Sequence, residues 1–273
     1  MEHLNDVVAV AQILLRNRGG GPPYSHQAFE DVARSAITTL GLDTASGLFE
    51  AVVRELEARH TVSIGTETVL EGNEEHIPWY LEERAKPGLF ADRYFRYLLE
   101  REGWPAVSVA SLETTTARIV GLLEDPQREG PWDRRGLVVG HVQSGKTASY
   151  AGVICRAADA GYKLIVVLGG MHNALRAQTQ QRLDRDFLGY ESSAAATGGR
   201  RRIGVGEIDG RPQAYFLTTR ESSGDFSAVR ANNLGVGVGE QPVLLVVKKN
   251  ASILRNLNAW VADFLAPHGR PQT

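Results

Sequence analysis

Gly140-His141-Val142-Gln143-Ser144-Gly145-Lys146-Thr147 places glycine, glycine, lysine and threonine at the fixed positions of a G-x-x-x-x-G-K-[ST] pattern. Those residue types at that spacing suit phosphate binding. Consecutive backbone N–H groups curl around phosphate oxygens, and the N-terminus of the helix that follows adds a partial positive charge. Gly140 and Gly145 allow a close backbone approach that a side chain would block, while Gln143 and Ser144 complete the cradle. Lys146, the catalytic candidate, reaches for the β- and γ-phosphates, and the Thr147 hydroxyl holds Mg²⁺. The alternative is a chance match on a strand–turn–helix connection. The flanks favour ATP with Mg²⁺: the apolar run Leu137-Val138-Val139 precedes the motif, and a helix-period segment, Ala148–Ala160, follows it.

A phosphate loop needs an acidic partner, on a neighbouring strand, to orient the metal ion and the attacking water. After the loop no apolar run ends in Asp or Glu. Asp263 follows Trp260-Val261-Ala262 on a helix-period segment, and Asp209 has no strand-like run before it. The expectation is that the chain stops before its second nucleotide motif, so that these residues alone bind Mg-ATP weakly and hydrolyse little of it. Neither H-x-H, H-E-x-x-H nor a D…[DE]-x-K cluster occurs, so no nuclease chemistry is assigned to any residue. The single cysteine, Cys155, excludes an internal disulfide and a multi-cysteine zinc site, and its place inside an apolar helix reads as packing.

The elements around the motif read as α/β. Leu164–Leu168, Tyr215–Leu217 and Val243–Val247 are compact apolar runs, separated by helix-period segments at Ala174–Phe187 and, after the last run, Ala251–Leu265. Fully apolar strands alternating with helices signal a parallel sheet covered on both faces. Gly198–Gly210 and Gly235–Gly239 read as loops or turns, and Asn173 as a helix cap. The first half is mostly helical. Leu4, Val7, Val8, Ala11, Leu14 and Leu15 recur at helix spacing, and a second face carries Phe29, Val32, Ala33, Ile37 and Leu40 behind a possible cap at Ser25. A third, capped at Thr44, carries Leu48, Val52, Val53 and Leu56; a short hairpin over Thr61–Glu71 and helices near Phe90–Glu102 and Ser111–Leu123 complete this half. The expected organisation is a mostly helical N-terminal domain over 1–124, then a P-loop, RecA-like parallel sheet flanked by helices over 125–273.

Gly136–Thr147, Ala158–Lys163, the run Leu175–Leu183 and Val247–Asn250 together resemble, in order and spacing, the Z1 domain family. That family comprises bacterial putative endonucleases, superfamily 2 helicase-like ATPases (hydrolases) of restriction and phage-defence systems. The likeness runs from about Trp79 to Trp260. It implies a DNA-acting motor or switch, a second ATPase lobe beyond these residues, defence-system partner proteins and an acidic strand after the last helix. By the same resemblance Trp132 or Gln127, upstream of the loop, contacts adenine; a Trp packing the junction of the two halves is the alternative. Arg176, Gln178 and Arg182, with Gln181, fall on the helix that in helicase cores touches the nucleic-acid backbone, and Lys248 continues that track, as do Lys249 and Arg200–Arg202. Thr218-Thr219 resembles a threonine-bearing backbone contact. A solvated polar face explains the helix equally well.

Composition sets outer limits. The chain of 273 residues is 42% hydrophobic and 23% charged, enough for a packed core, and its formal net charge of −2 argues against a dedicated polyanion-binding protein while leaving room for a local basic track. No apolar run approaches the ~20 residues that span a bilayer, and the first residues lack a signal pattern, so a cytoplasmic protein without membrane contact is expected. Two other readings stay open: a nucleotide-gated protein-interaction module without its own hydrolysis, and a small P-loop kinase, which would need a lid with catalytic arginines.

Overall fold

The structure is a computed structural model that describes residues 3–17, 24, 26–42, 47–60, 76–139, 146–193, 201–234 and 241–265. It is mixed α/β, with a small three-stranded parallel sheet and a majority of helix. By contact it divides into two compact units. One spans Met1–Glu75, Leu98–Thr116 and Leu137–Tyr150, the other His76–Tyr97, Ala117–Gly136 and Ala151–Thr273. No described helix is long and apolar enough to cross a membrane. The expected caps at Ser25 and Thr44, the hairpin over Thr61–Glu71 and the glycine run Gly235–Gly239 lie outside the described residues.

In the first unit α1 (Leu4–Asn17), α2 (His26–Thr39) and α3 (Leu48–His60) share one core. Apolar residues at helix spacing give each a single buried stripe: Val7, Val8, Ala11 and Leu15; Phe29, Val32, Ala33 and Ile37; Val52, Val53 and Leu56. Leu40 lies just past the end of α2 and is exposed. Arg59 on α3 is buried and binds Glu55 and Glu102 carboxylates at 3.1 and 2.8 Å, and Gln12 of α1 at 3.3 Å. At the surface His26 bridges Glu57 of α3 and, at 3.3 Å, Glu30 of its own helix.

The second unit holds α4 (Leu89–Glu100) in large part, then β1 (Leu164–Leu168), α7 (Asn173–Leu183), α8 (Val205–Ile208), β2 (Tyr215–Phe216), α9 (Ala228–Leu234), β3 (Val243–Val247) and α10 (Ala251–Leu265). Between α4 and β1 run α5 (Ala106–Leu122) and α6 (Lys146–Ala160). The strand order is β1-β3-β2, all parallel, with Leu164 opposite Val243 and Tyr215 opposite the same residue from the other side. β3 is buried along its whole length. On one face Val243, Leu245 and Val247 pack with Leu257 and Trp260 of α10, Leu217 and Phe226.

Several expectations are corrected. Leu137–Val139 is no strand: it carries no regular structure and is exposed at 86, 61 and 84%. Three apolar residues form a strand only where a neighbouring strand supplies their hydrogen bonds, and no described residue does. α7 is preceded at its N-cap by His172, with no side-chain cap bond, rather than by Asn173. The helix expected over Ala174–Phe187 changes at Asp184 into a π-helical turn, Asp184–Leu188, that ends on Gly189 at φ 83°. Gly189 packs so tightly that a Cβ on Gly206 would lie 2.0 Å from its carbonyl oxygen. Part of the loop expected over Gly198–Gly210 is α8.

In register β2 ends three residues before β3 does, and side chains complete the ladder. The Val246 N–H donates to the Thr218 hydroxyl at 2.8 Å, which donates to Gln180 Oε1 at 2.7 Å. Gln180 in turn donates to Asp184 at 3.0 Å, and the other Asp184 oxygen accepts the Ser192 N–H and hydroxyl at 3.0 and 2.9 Å. All four side chains are buried. Burial pushes the Asp184 carboxyl pKa up, opposed by the bonds from Gln180 and Ser192.

Thr218→Val should lower the free energy of urea unfolding by about 1–3 kcal/mol, because it strands the Val246 N–H and the Gln180 carbonyl; no loss would break the chain as drawn. His26 titrates above its usual 6.5, chiefly through its hydrogen bond to Glu57. A cationic His favoured by folding contributes fully below the unfolded value and less as pH rises through the folded one. His26→Gln should therefore lower the thermal midpoint by on the order of a degree at about pH 6 and not at about pH 9. Equal loss at both pH values would show that the bridge does not depend on charge.

Candidate functional site

The phosphate-loop motif divides at the edge of the described residues. Gly140, Gln143, Ser144 and Gly145 lie outside them. Lys146 and Thr147 are the first two residues of α6, so the helix begins inside the motif rather than at Ala148. The first turn of a helix has free N–H groups and the positive end of the dipole, the setting an anionic phosphate needs.

α6 is held at its other end by two charged side chains that the sequence reading passed over. Arg156 is buried; its Nη1 donates to the Ala85 carbonyl at 2.7 Å, and its guanidinium lies 5.3 Å from the Phe95 ring centre. Asp159 accepts the backbone N–H groups of Phe90 and Ala91, at 2.9 and 2.8 Å, at the start of α4. The only signal for them in the sequence is an Arg and an Asp at i and i+3 amid the apolar residues of a helix. Cys155, beside Arg156 on the same helix, is packed and inert, its thiol pKa pushed well up by burial.

Trp132 is half-buried, edge-on to the Tyr162 ring at 6.3 Å between centroids, and its indole N–H is enclosed without an acceptor. Tyr162 donates to the Glu124 carbonyl, and burial pushes its pKa up to about 12. Gln127 accepts from Arg84 at 3.0 Å, next to the Arg84–Asp125 pair. Trp132 and Gln127 thus have packing and hydrogen-bonding roles within the unit.

The expected nucleic-acid track is divided by the structure. Arg176 is fully buried, so its surface role is corrected: it donates to the Thr219 and Glu221 carbonyls at 2.9 and 2.5 Å and to Val246 at 3.4 Å. It meets the carbonyl of Val246 while Thr218 meets the amide of the same residue, and Thr218 and Thr219 are likewise buried rather than displayed. Apolar periodicity cannot reveal this, because an arginine on a helix face reads as solvated until the carbonyls around it are known. Gln178 is exposed. Arg182 binds Asp186 at 2.5 Å, and Lys248 lies 3.8 Å from Asp225. Lys249, Arg201 and Arg202 are exposed, and Arg200 lies outside the described residues. Asp209 is paired with Arg211 at 2.6 Å, which helps to hold its pKa down at about 2, and Asp263 is an exposed residue of α10. Among the described residues no group of three His, Cys, Asp or Glu side chains is placed to hold a metal ion.

Comparison of the chain with models of known protein families, with curated proteins and with solved structures returns no match. Arg176→Ala should lower the unfolding free energy by roughly 3 kcal/mol, since it leaves buried carbonyls without their charged donor, whereas Gln178→Ala should change it by less than about 0.5 kcal/mol. Small, equal effects would return Arg176 to the surface.

Proposed function

We propose that this chain is the ATP-binding lobe of a helicase-like, DNA-acting ATPase of a bacterial restriction or phage-defence system, as the Z1 domain resemblance implies. The observation that carries the nucleotide part is the start of α6 at Lys146, which sets the Lys and Thr of the motif in a helix's first turn. In this reading Gly140, Gln143, Ser144, Gly145 and Lys146 hold the phosphates of ATP, and Thr147 holds Mg²⁺. The described sheet is parallel, as the helicase-like resemblance implies. The RecA-like arrangement belongs to the proposal too: among the described residues β1 has a strand on one side only, and Val166 and Leu168 on it are 40 and 49% exposed. An acid-ended strand pairing there would complete the sheet.

One observation bears on the alternative of a nucleotide-gated module. β1 runs into Gly169, β2 into Leu217 and β3 into Lys248, so none of the described strands ends in a carboxylate. Turnover by this chain alone is therefore expected to be slight, whichever form the whole protein takes. DNA contact rests on Gln178, Arg182 and Lys248, with Lys249 and Arg201 beside them, and no longer on Arg176.

Calorimetry with Mg-ATP tests the nucleotide reading. Saturable binding is expected, weakened about a hundredfold, or about 2.7 kcal/mol, by Lys146→Ala. Absence of binding by the parent chain would refute it.

A further inference from the structure

Lys248 follows β3 directly, and its ammonium lies 3.8 Å from Oδ2 of Asp225, in the connection between β2 and α9. At that separation the two form an ion pair but no hydrogen bond. Oδ1 of Asp225 accepts the N–H of Phe226 at 2.8 Å, whereas Oδ2 is enclosed and, among the described residues, accepts no hydrogen bond. The partners differ in exposure: the Lys248 side chain is 25% exposed and the Asp225 side chain 11%.

The carboxylate belongs to a rigid turn. The Thr219 N–H donates to the Gly224 carbonyl and the Gly224 N–H to the Glu221 carbonyl, each at 2.8 Å. A Cβ on Gly224 would lie 2.1 Å from the Thr219 hydroxyl oxygen, so glycine is what lets the turn close this far. Arg176 grips the Thr219 and Glu221 carbonyls, and Phe226, next to Asp225, is buried against Trp260. The ammonium instead ends a flexible four-carbon stem. The cation can therefore swing away, and the anion cannot follow it. Nor would its departure strand the carboxylate. Burial lowers the Arg176 pKa, and Asp225 is first among the charges that oppose the fall. An enclosed carboxylate that lost every cation would be strongly destabilising; this one keeps Arg176.

We infer that Asp225 is an internal competitor for Lys248, so that DNA must draw the ammonium off this carboxylate before the lysine can serve as a phosphate contact. The inference rests on the DNA-acting reading above. Fluorescence anisotropy of a labelled duplex oligonucleotide with the whole chain, over a series of salt concentrations, tests it, with thermal melts of each variant alongside. Asp225→Asn keeps an acceptor for the Phe226 N–H but loses the charge. It should tighten binding about three- to fivefold, near the upper end for a partly exposed ion pair. Lys248→Met should weaken binding and lower the salt slope by about one. In the Lys248→Met background, Asp225→Asn should change affinity by less than about 1.5-fold. Parent-like affinity of Asp225→Asn would overturn the inference. So would a gain that persists without Lys248, since it would report the field of one charge rather than the pair. If Asp225→Asn does not fold, Asp225→Ser, which also offers the Phe226 N–H an oxygen, carries the test with the same two outcomes. Failure of the parent chain to bind the duplex at about 50 mM salt defeats the DNA reading itself, and this inference with it.

Discussion

The second unit depends on how β3 finishes. A parallel strand needs partners for N–H and C=O groups on both edges, and β2 stops after Phe216 while β3 runs on to Val247. Val246 would face the gap with an unpaired amide and an unpaired carbonyl. Thr218 supplies an acceptor for the first and Arg176 a donor for the second. Each is then committed. The Thr218 hydroxyl proton goes to Gln180, which fixes Asp184; Nη2 of Arg176 donates to the carbonyls of Thr219 and Glu221. The π-helical turn keeps Asp184 within reach of Gln180 and Ser192 together.

The same solution recurs elsewhere. Among the described residues Arg93, Arg156 and Arg176 are the largest fully buried side chains, and each donates to backbone carbonyls. Arg93 on α4 gathers the carbonyls of Phe187, Asp209 and Pro212. Where little sheet is present and much irregular chain is buried, carbonyls outnumber the backbone donors in reach, and a guanidinium offers five N–H groups in a fixed fork. These arginines hold loops in place. None of them is a surface group waiting for phosphate.

Strand and helix positions were legible where the signal is hydrophobic. Leu164–Leu168 and Val243–Val247 read as strands at the bounds observed, because five consecutive apolar residues bury both faces of a strand. The stripes of α1 to α3 emerged from their spacing for the same reason. What failed depends on partners far along the chain. Leu137–Val139 looks like the other apolar runs but has no described neighbour, and α9 carries too little periodicity to be noticed. At the candidate site the phosphate-loop pattern was plain, because its chemistry is contiguous. Asp159 and Arg176 were opaque, because their roles lie in carbonyls and amides more than forty residues away.

The side of β1 that, among the described residues, carries no strand also bears on how the protein behaves among copies of itself. Leu-Ile-Val-Val-Leu has no charge, proline or bulge to turn another strand away. Edge strands are ordinarily blunted by one of those devices, and an apolar edge without them is a template for pairing between molecules. Unless a further strand occupies it, that edge makes solubility a matter of concentration: the surface that would complete the sheet is also the one on which aggregates nucleate.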